Sequence, residues 1–233
     1  MKTVSIIIPV YNEKGTLREI LLAVKASPVF GFAKEIIIVD DASTDGTKNI
    51  LQALDKNAYK IFYQEKNRGK GAALRFGFSK ATGDFIIIQD ADLEYDPNEY
   101  EKLLRPLVDA KADMVYGSRF AGGEAHRIMF FRHYAGNKFL TTLSNFLTNL
   151  NLTDMETCYK AFTAEAIKKI LPALESNGFE IEPELAAKAS KNNFRIYEVG
   201  ISYYGRTYEE GKKIKWTDGL KAIWHIIKFN LLK

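Results

Sequence analysis

Three carboxylates lie within five residues of the sequence, at Asp90, Asp92 and Glu94. They follow an apolar stretch, Asp84 to Gln89, whose β-branched residues predict a buried strand. If the segment after that strand stays extended, alternate side chains point the same way and the carboxylates converge. Two like charges about 4 Å apart repel by about 4 kcal/mol at an effective dielectric of about 20, so the cluster needs a counter-charge. A hard divalent cation with oxygen ligands is the simplest one, and a solvated turn capping a helix near Pro97 is the alternative.

A second acidic segment, Asp40 to Thr47, follows another predicted strand, Glu35 to Asp40. An aspartate at a strand end can accept hydrogen bonds from a base or a ribose, so Asp41 is a candidate ligand-binding residue. Ser43 or Thr44 is expected to cap the helix that follows. The two roles are compatible because different residues perform them.

Glycine and basic residues supply the cationic candidates. The loop Gly69 to Leu74 opens a predicted helix and places Lys70 as a candidate neighbour of a phosphate. The third glycine of a dinucleotide-binding turn is missing, so we do not predict that turn. Arg119 follows a predicted strand, Asp113 to Gly117, at the end where phosphates bind. The other cationic candidates are Arg132, Arg206, Lys212 and Lys213.

Apolar segments in the first half alternate with amphipathic ones, which predicts strands alternating with helices. The predicted strands are 4–10, 35–40, 61–63, 84–89 and 113–117, and the predicted helices are 13–26, 44–54, 72–81 and 97–109. Asn12 is expected to cap the first helix. The alternation predicts an α/β fold, with a mostly parallel Rossmann-like sheet, helices on both faces and ligands at the carboxyl ends of the strands.

The second half has a different pattern. An apolar stripe at helical spacing runs from Phe139 to Leu150, and it either packs in the core or faces lipid. A late strand is predicted over Phe194 to Tyr203 and an amphipathic helix over Leu220 to Leu232. No linker or internal repeat is recognisable, so we expect a single domain over residues 1–233.

Composition limits the class of protein. The net charge of +4 is mild, and the basic residues do not cluster with aromatics, so no nucleic-acid partner is expected. The apolar runs are far shorter than the ~20 residues that span a bilayer, and no signal peptide is recognisable. A single cysteine, Cys158, excludes an internal disulfide and favours a cytoplasmic setting.

Together these segments resemble the inverting family 2 glycosyltransferases with a GT-A fold, and among them the dolichol-phosphate mannose synthase group. The resemblance rests on an ordered series of stretches that covers most of the chain. They are Pro9 to Glu13, Asp40 to Thr47, Asn67 to Leu74, Asp90 to Leu93, Gly117 to Phe120 and Ile201 to Arg206.

The resemblance implies a role for the matching positions. Asp90 would lie over the ribose and the sugar, and Asp92 with Glu94 would hold Mg²⁺ or Mn²⁺ against the diphosphate, although such enzymes often carry Gln at the position of Glu94. Arg119 and Arg132 would face the acceptor phosphate, and Asp90, Asp92 and Arg119 would be the catalytic residues. The residues expected to bind the nucleotide-sugar are Pro9, Tyr11, Glu13, Val39, Asp41, Lys70, Ala91, Arg206 and Lys212.

The implied reaction is metal-dependent, inverting transfer of a hexose from a nucleotide-sugar, GDP-mannose, to a polyprenyl or dolichyl phosphate. Residues 1–120 would bind the nucleotide-sugar, and residues 121–233 would form an acceptor-binding, amphipathic part. UDP-glucose as donor and a glycan hydroxyl as acceptor are alternatives within the fold. Nucleotidyl transfer and a non-enzymatic nucleotide-binding or membrane-docking module are alternatives outside it.

Many such enzymes carry C-terminal transmembrane helices, and we expect none here. We therefore expect a peripheral enzyme at the cytoplasmic face of the membrane. It would meet the bilayer through the apolar stripe and the helix around Trp224, or through a separate membrane protein.

Overall fold

The structure, a computed structural model, describes residues 1–123, 127–206 and 216–232. Its strands are β1 (Thr3–Val10), β2 (Ala33–Asp40), β3 (Lys60–Tyr63), β4 (Phe85–Ile88), β5 (Met114–Ser118), β6 (Lys160–Thr163) and β7 (Ile196–Gly200). Its α-helices are α1 (Leu17–Ala26), α2 (Thr47–Gln52), α3 (Lys70–Lys80), α4 (Tyr100–Val108), α5 (Phe131–Thr148), α6 (Ala164–Ile170), α7 (Ile181–Lys191) and α8 (Trp216–Ile227). Two 3₁₀ turns, Pro97–Glu99 and Leu171–Ala173, precede α4 and follow α6, and a π-helical turn, Lys228–Leu232, follows α8.

The strands in the described part of the chain form one sheet in the order β3-β2-β1-β4-β6-β5-β7. Strand β6 is antiparallel to its neighbours β4 and β5, and the other pairs are parallel. The prediction of an α/β fold with a mostly parallel sheet is confirmed. The sequence pattern does not predict β6, because its four residues begin with a lysine and contain no apolar run.

The sheet is covered on both faces, which is why its central strands are almost entirely apolar. In β1 the side chains alternate between the two layers. Ile6 and Ile8 pack in the cluster that includes α1 and α4, and Ile7 packs in the cluster that includes α3 and α7. All three isoleucines are fully buried, and each such side chain contributes roughly 1.5–3 kcal/mol to folding.

The helix starts differ from the prediction because the polar residues before them bind neighbouring loops. Asn12 does not cap α1; its Oδ1 accepts a hydrogen bond from the amide of Thr44 at 2.8 Å, and α1 begins only at Leu17. Ser43 and Thr44 do not cap α2 either. The amide of Thr47 instead donates to Oδ1 of Asp45 at 2.9 Å.

The apolar stripe of α5 divides between two environments. Leu140, Leu143, Leu147 and Leu150 pack against the core, which confirms core packing for them. Phe139 and Phe146 do not, and Phe146 is 83% exposed. The late strand β7 is shorter than predicted, whereas α8 begins before Leu220. Within the described residues, no helix has both the length and the apolarity to cross a membrane.

Candidate active site

Parallel pairing places the carboxyl ends of β1, β2 and β4 at one edge of the sheet, with Val10 paired with Asp40 and Ile7 with Ile88. The loops that follow these strands bind one another. The amide of Asn12 donates to Oγ of Ser43 at 2.9 Å, and Oγ1 of Thr16 donates to the carbonyl of Ala91 at 2.7 Å. These hydrogen bonds assemble three separate sequence segments into one site.

The acidic segment is a turn rather than the extended stretch that we predicted. Leu93 has a φ of 63°, and the amide of Glu94 donates back to Oδ1 of Asp92 at 3.2 Å. As a result of this turn, the carboxylates pair with different cationic side chains. Asp92 and Glu94 face Arg206, whereas Asp90 faces Lys70.

Arg206 lies among three carboxylates from two loops. Its Nη2 is 2.7 Å from Oδ2 of Asp92, its Nη1 is 3.4 Å from Oε2 of Glu13, and its Nε is 3.5 Å from Oε1 of Glu94. The backbone amide of Arg206 also donates to Oε1 of Glu94 at 2.8 Å. The opposite oxygen of Glu94 accepts a hydrogen bond from the hydroxyl of Tyr203 at 2.9 Å. The segment after β7 is thus attached to the acidic turn at both oxygens of Glu94.

The pKa values of the first two carboxylates of the turn, Asp90 and Asp92, shift in opposite directions. Burial alone would raise the pKa of Asp90, but the charge and hydrogen bond of Lys70 outweigh burial and hold that pKa below its ordinary value. Burial raises the pKa of Asp92 to about 7, with a further contribution from the charges of Asp90 and Glu94 and an opposing one from Arg206. The guanidinium therefore does not fully offset the negative charge around Asp92.

This donor set fits a divalent cation. Asp90, Asp92, Glu94 and Glu13 face Lys70 and Arg206, so the ionised cluster of these described residues carries a net charge of −2. Asp92 and Glu94 supply the hard oxygen ligands that such ions prefer. No group of three or more potential side-chain ligands occurs among the described residues, so a cation held by Asp92 and Glu94 would need ligands from a bound anion or from water.

Asp41 lies at the same edge but holds a loop. Its two carboxylate oxygens accept hydrogen bonds from the amides of Arg68 at 2.8 Å and Gly69 at 2.7 Å. The side chain is buried, and burial raises its pKa against the effect of those hydrogen bonds. Asp41 therefore fixes the start of α3, and only its remaining lone pairs are available to a nucleoside.

Arg119 is paired with a carboxylate that the sequence pattern did not indicate. Its Nε and Nη2 donate to Asp154 at 2.6 Å and 2.7 Å. The guanidinium also lies over the ring of Tyr203, 5.2 Å from its centroid, and Tyr203 in turn contacts Glu94. Arg119 is thereby linked to the acidic turn through one aromatic ring, with its Nη1 not engaged by Asp154.

The remaining predicted residues lie in different places. Val39 is fully buried in the core beside α3, and Ala91 is also buried. Pro9 and Tyr11 are partly buried at the end of β1. Arg132 is exposed on the first turn of α5, and no ion pair among the described residues joins it to the acidic turn. Lys212 and Lys213 lie outside the described residues.

Sequence reasoning did not assign a role to three buried charged residues near the site. Asp154 precedes β6, Lys160 is the first residue of β6, and Glu182 lies in the first turn of α7. The available signal was a short run with three charged residues that leads into β6, Asp154, Glu156 and Lys160. Its tertiary partners are distant in sequence, so the run alone did not identify a role.

The sequence profile described as glycosyl transferase family 2 matches residues 5–171, which is more than half of the chain and includes the acidic turn, Lys70 and Arg119. The chain belongs to glycosyl transferase family 2. It is therefore a glycosyltransferase, as the resemblance predicted.

Two curated relatives give the family context. A polyprenol monophosphomannose synthase of Mycolicibacterium smegmatis is 32% identical over 209 residues, which cover 86% of this chain and 77% of that protein. A low-salt glycan biosynthesis hexosyltransferase of Haloferax volcanii is 29% identical over 235 residues, which cover 99% of this chain and 53% of that longer protein.

Solved structures support the fold of this family 2 member. Glucosyl-3-phosphoglycerate synthase of Mycobacterium tuberculosis, solved with Mn²⁺, UDP and phosphoglyceric acid, superposes with a TM-score of 0.75 at 19% identity. The match covers 99% of this chain and 79% of that one. The GT-A fold is thus shown, and the ligands of that enzyme belong to that enzyme.

Proposed function

We propose that this enzyme transfers a hexose, with inversion, from a nucleotide-sugar to a polyprenyl phosphate, and that GDP-mannose is the donor. One observation carries the proposal: Tyr203 links Arg119 to the three carboxylates around Arg206, because its ring lies against the Arg119 guanidinium and its hydroxyl donates to Glu94. A site of this kind combines cation-binding acids with cations that suit two phosphate-bearing ligands. The polyprenol monophosphomannose synthase relative supports the choice of donor and acceptor.

The donor half would be residues 1–120. Asp92 and Glu94 would hold Mg²⁺ or Mn²⁺, which would supply charge stabilisation to the departing nucleoside diphosphate when bound. Arg206 would contact the same diphosphate, and Asp90 would orient the sugar. Glu13, which pairs with Arg206, and Tyr11, which follows β1, would contact the nucleoside.

The acceptor half would be residues 121–233. A phosphate monoester has a second pKa near about 6, so it is mostly ionised at neutral pH and attacks without a strong general base. The Nη1 of Arg119 that Asp154 leaves unengaged would orient this phosphate. Arg132, exposed on α5, would meet the same phosphate nearer the surface.

A lipid acceptor requires a route to the bilayer, and α5 and α8 supply one. Helix α8 packs inward through Ala222 and Ile226, while Leu220 and Trp224, four residues apart, are exposed on another side. The exposed side chains on or near α5 include Phe131, Phe139 and Phe146. The two helices pack against each other, so we propose that this apolar surface rests on the membrane, with a separate membrane protein as the alternative occupant.

The test is an incubation of purified protein with labelled GDP-mannose or UDP-glucose, Mg²⁺ or Mn²⁺, and a polyprenyl phosphate. We expect a lipid-linked sugar that organic solvent extracts, and NMR of its anomeric centre would report inversion. The unphosphorylated polyprenol is the matched control acceptor. If no donor yields a lipid-linked sugar, the proposal is wrong.

A second candidate keeps the fold and changes the substrates. UDP in the solved neighbour and the glycan-pathway relative favour a UDP-glucose donor or a glycan hydroxyl acceptor. Glycosylation of hydroxyl acceptors, but not of phosphates, would select this candidate. Release of pyrophosphate in place of nucleoside diphosphate would instead indicate nucleotidyl transfer.

A further inference from the structure

Lys70 is a cation at the first residue of a helix. Its Nζ lies 2.7 Å from Oδ1 of Asp90 and 3.5 Å from Oε1 of Glu182, and its side chain is only 11% exposed. The positive end of a helix dipole disfavours a cation at this position. Helix propensity therefore does not explain why a lysine occupies the first position of α3. Its pairing with two buried carboxylates does.

Glu182 extends the pairing below the site. It lies in the first turn of α7 with its side chain 2% exposed, and its other carboxylate oxygen pairs with Nζ of Lys160. Lys160 is wholly buried, with its ammonium over the ring of Tyr116, 4.9 Å from the centroid. Asp90, Lys70, Glu182 and Lys160 thus alternate in charge from the acidic turn to the core. A buried charge that loses its partner is strongly destabilised, so each member holds its neighbour in place.

The backbone around Lys70 is clamped to the loop before α7. A Cβ on Gly69 would lie 2.5 Å from the carbonyl oxygen of Asn177, and one on Gly71 would lie 2.7 Å from that of Ser176. The amide of Ala72 donates to the carbonyl of Asn177 at 2.9 Å. Because this loop leads directly into α7, the same contact fixes the position of Lys70 relative to Glu182.

We infer that Lys70 is a positioning residue, which Glu182 orients and which holds Asp90 against the sugar of the bound donor. The inference rests on the proposed function in placing Asp90 at the sugar. It gives the glycine-flanked lysine a role that does not involve binding a phosphate. Lys70 acts on the donor through Asp90, so its loss affects the sugar end of the nucleotide-sugar more than the nucleoside diphosphate end.

The first experiment measures binding. Lys70→Met is titrated by calorimetry, in the presence of Mn²⁺, with GDP-mannose and GDP and with UDP-glucose and UDP. The comparison uses the nucleotide-sugar and nucleoside diphosphate pair that the wild type binds. We expect the affinity for the nucleotide-sugar to fall about tenfold, as for one lost charged hydrogen bond. The affinity for the nucleoside diphosphate should stay within about twofold of the wild-type value. Equal losses for both ligands would overturn the inference. This measurement needs no acceptor, so it decides the role of Lys70 even if polyprenyl phosphate is not the acceptor.

The second experiment is a double-mutant cycle with Asp90→Asn. If Lys70 acts through Asp90, adding Lys70→Met to Asp90→Asn leaves the nucleotide-sugar affinity unchanged, whereas independent roles give additive losses. Lys60→Met is the matched control, because Lys60 also pairs with a glutamate, Glu35, but is 51% exposed on β3 away from the site. It should bind both ligands as the wild type does.

Folding is checked by thermal melting of every variant. If Lys70→Met does not fold, Lys70→Gln replaces it in both experiments. Its amide can still donate to Asp90 but carries no charge, so the expected loss of nucleotide-sugar affinity is about threefold. Glu182→Gln should shift the nucleotide-sugar affinity in the same direction by about threefold, since it loosens Lys70 without removing it. An unchanged nucleotide-sugar affinity in folded Lys70→Met or Lys70→Gln would contradict the inference.

Discussion

The carboxylate of Asp154 holds the guanidinium of Arg119 in a bidentate pair, with Nε 2.6 Å from Oδ2 and Nη2 2.7 Å from Oδ1. The backbone amide of Arg119 donates to the same Oδ2 at 3.1 Å. Asp154 is fully buried and Arg119 nearly so. This geometry fixes the plane of the guanidinium, which is what a bidentate arginine contributes beyond its charge.

We predict that Asp154→Ala lowers the unfolding free energy by roughly 3–5 kcal/mol, because it leaves the buried charge of Arg119 without a partner. The KM for the acceptor phosphate should rise at least about tenfold, since the guanidinium is no longer oriented. Chemical denaturation and acceptor kinetics measure the two effects.

Asp113→Ala is the control for that prediction. Asp113 also forms a bidentate pair, with Arg195, but Arg195 is 56% exposed. Loss of an exposed pair should cost only about 1 kcal/mol or less and leave acceptor kinetics unchanged. Equal effects of the two substitutions would show that burial of the Arg119 pair has no special role.

Substitution of the two proposed cation ligands should lower kcat/KM to different extents. Asp92→Asn is expected to lower kcat/KM by about 100-fold or more, because a neutral amide replaces the negative ligand beside the diphosphate. Glu94→Gln should cost about tenfold, since an amide oxygen still ligates and Tyr203 can still donate to it. Activity measured across a Mn²⁺ titration would show the loss as a higher metal requirement.

Asp96→Asn is the matched control on the same loop, because its side chain caps the turn at Pro97 and asparagine caps equally well. It should keep the wild-type metal requirement. If Asp92→Asn and Asp96→Asn behaved alike, the assignment of Asp92 as a ligand would be wrong.

Sequence reasoning could identify the parts of the fold and site that depend on local pattern. Buried parallel strands are continuous apolar runs, so β1, β2 and β4 were predicted, and the carboxylates after them were placed at one edge of the sheet. The pairing of those carboxylates with particular cations was not predictable. Arg206 lies 114 residues from Asp92, and their contact depends on how the segment after β7 returns to the turn.

The buried members of the site were missed for the same reason. Lys160 resembles an ordinary strand-edge lysine, and Glu182 an ordinary acidic residue in the first turn of a helix. Only the packing of α7 against α3 and β6 shows that they pair inside the core. Val39, near the end of β2, was likewise predicted to bind the nucleotide-sugar, and its side chain packs in the core beside α3.

Gly71 of α3 and Gly136 of α5 should respond oppositely to substitution by alanine. In Gly71→Ala the new Cβ would lie 2.7–3.0 Å from three backbone atoms of residues 176–178, which cannot move cheaply, so we expect a loss of about 1–3 kcal/mol. In Gly136→Ala no atom lies within 4 Å of the new Cβ, so helix propensity should stabilise the protein by about 0.5–1 kcal/mol. Thermal melts compare the two. Stabilisation by Gly71→Ala would contradict the clamp between α3 and the loop before α7.

Stability should depend on pH through Glu156. One of its carboxylate oxygens is buried without a hydrogen-bond partner among the described residues. Burial and the charge of Glu182 raise the pKa of Glu156 from 4.5 to about 7, against the effect of Lys160 and Arg119. The native state therefore keeps a proton that the unfolded chain releases, and stability falls as the pH rises from 4.5 to about 7.

Glu156→Gln should remove that loss. As the pH rises from about 5 to about 8, the unfolding free energy of the variant should increase by on the order of 2 kcal/mol relative to that of the wild type. Urea unfolding at the two pH values measures this difference. Glu65→Gln alters an exposed side chain and is the control. Its unfolding free energy should change with pH as that of the wild type does. Parallel pH profiles for Glu156→Gln and the wild type would contradict the prediction.

The exposed apolar surface of α5 and α8 should bind lipid. Vesicles that contain an anionic lipid are expected to bind the protein more strongly than neutral ones, since exposed Arg132 and Lys138 accompany the aromatic residues of α5. Trp224→Ser should weaken binding about tenfold, because α8 loses a large exposed apolar side chain. Tyr197→Ser removes a similarly exposed aromatic residue from β7 and is the control. If both variants bind vesicles equally, α8 does not contact lipid. If the wild type binds no vesicle, a membrane protein is favoured as the partner of this surface.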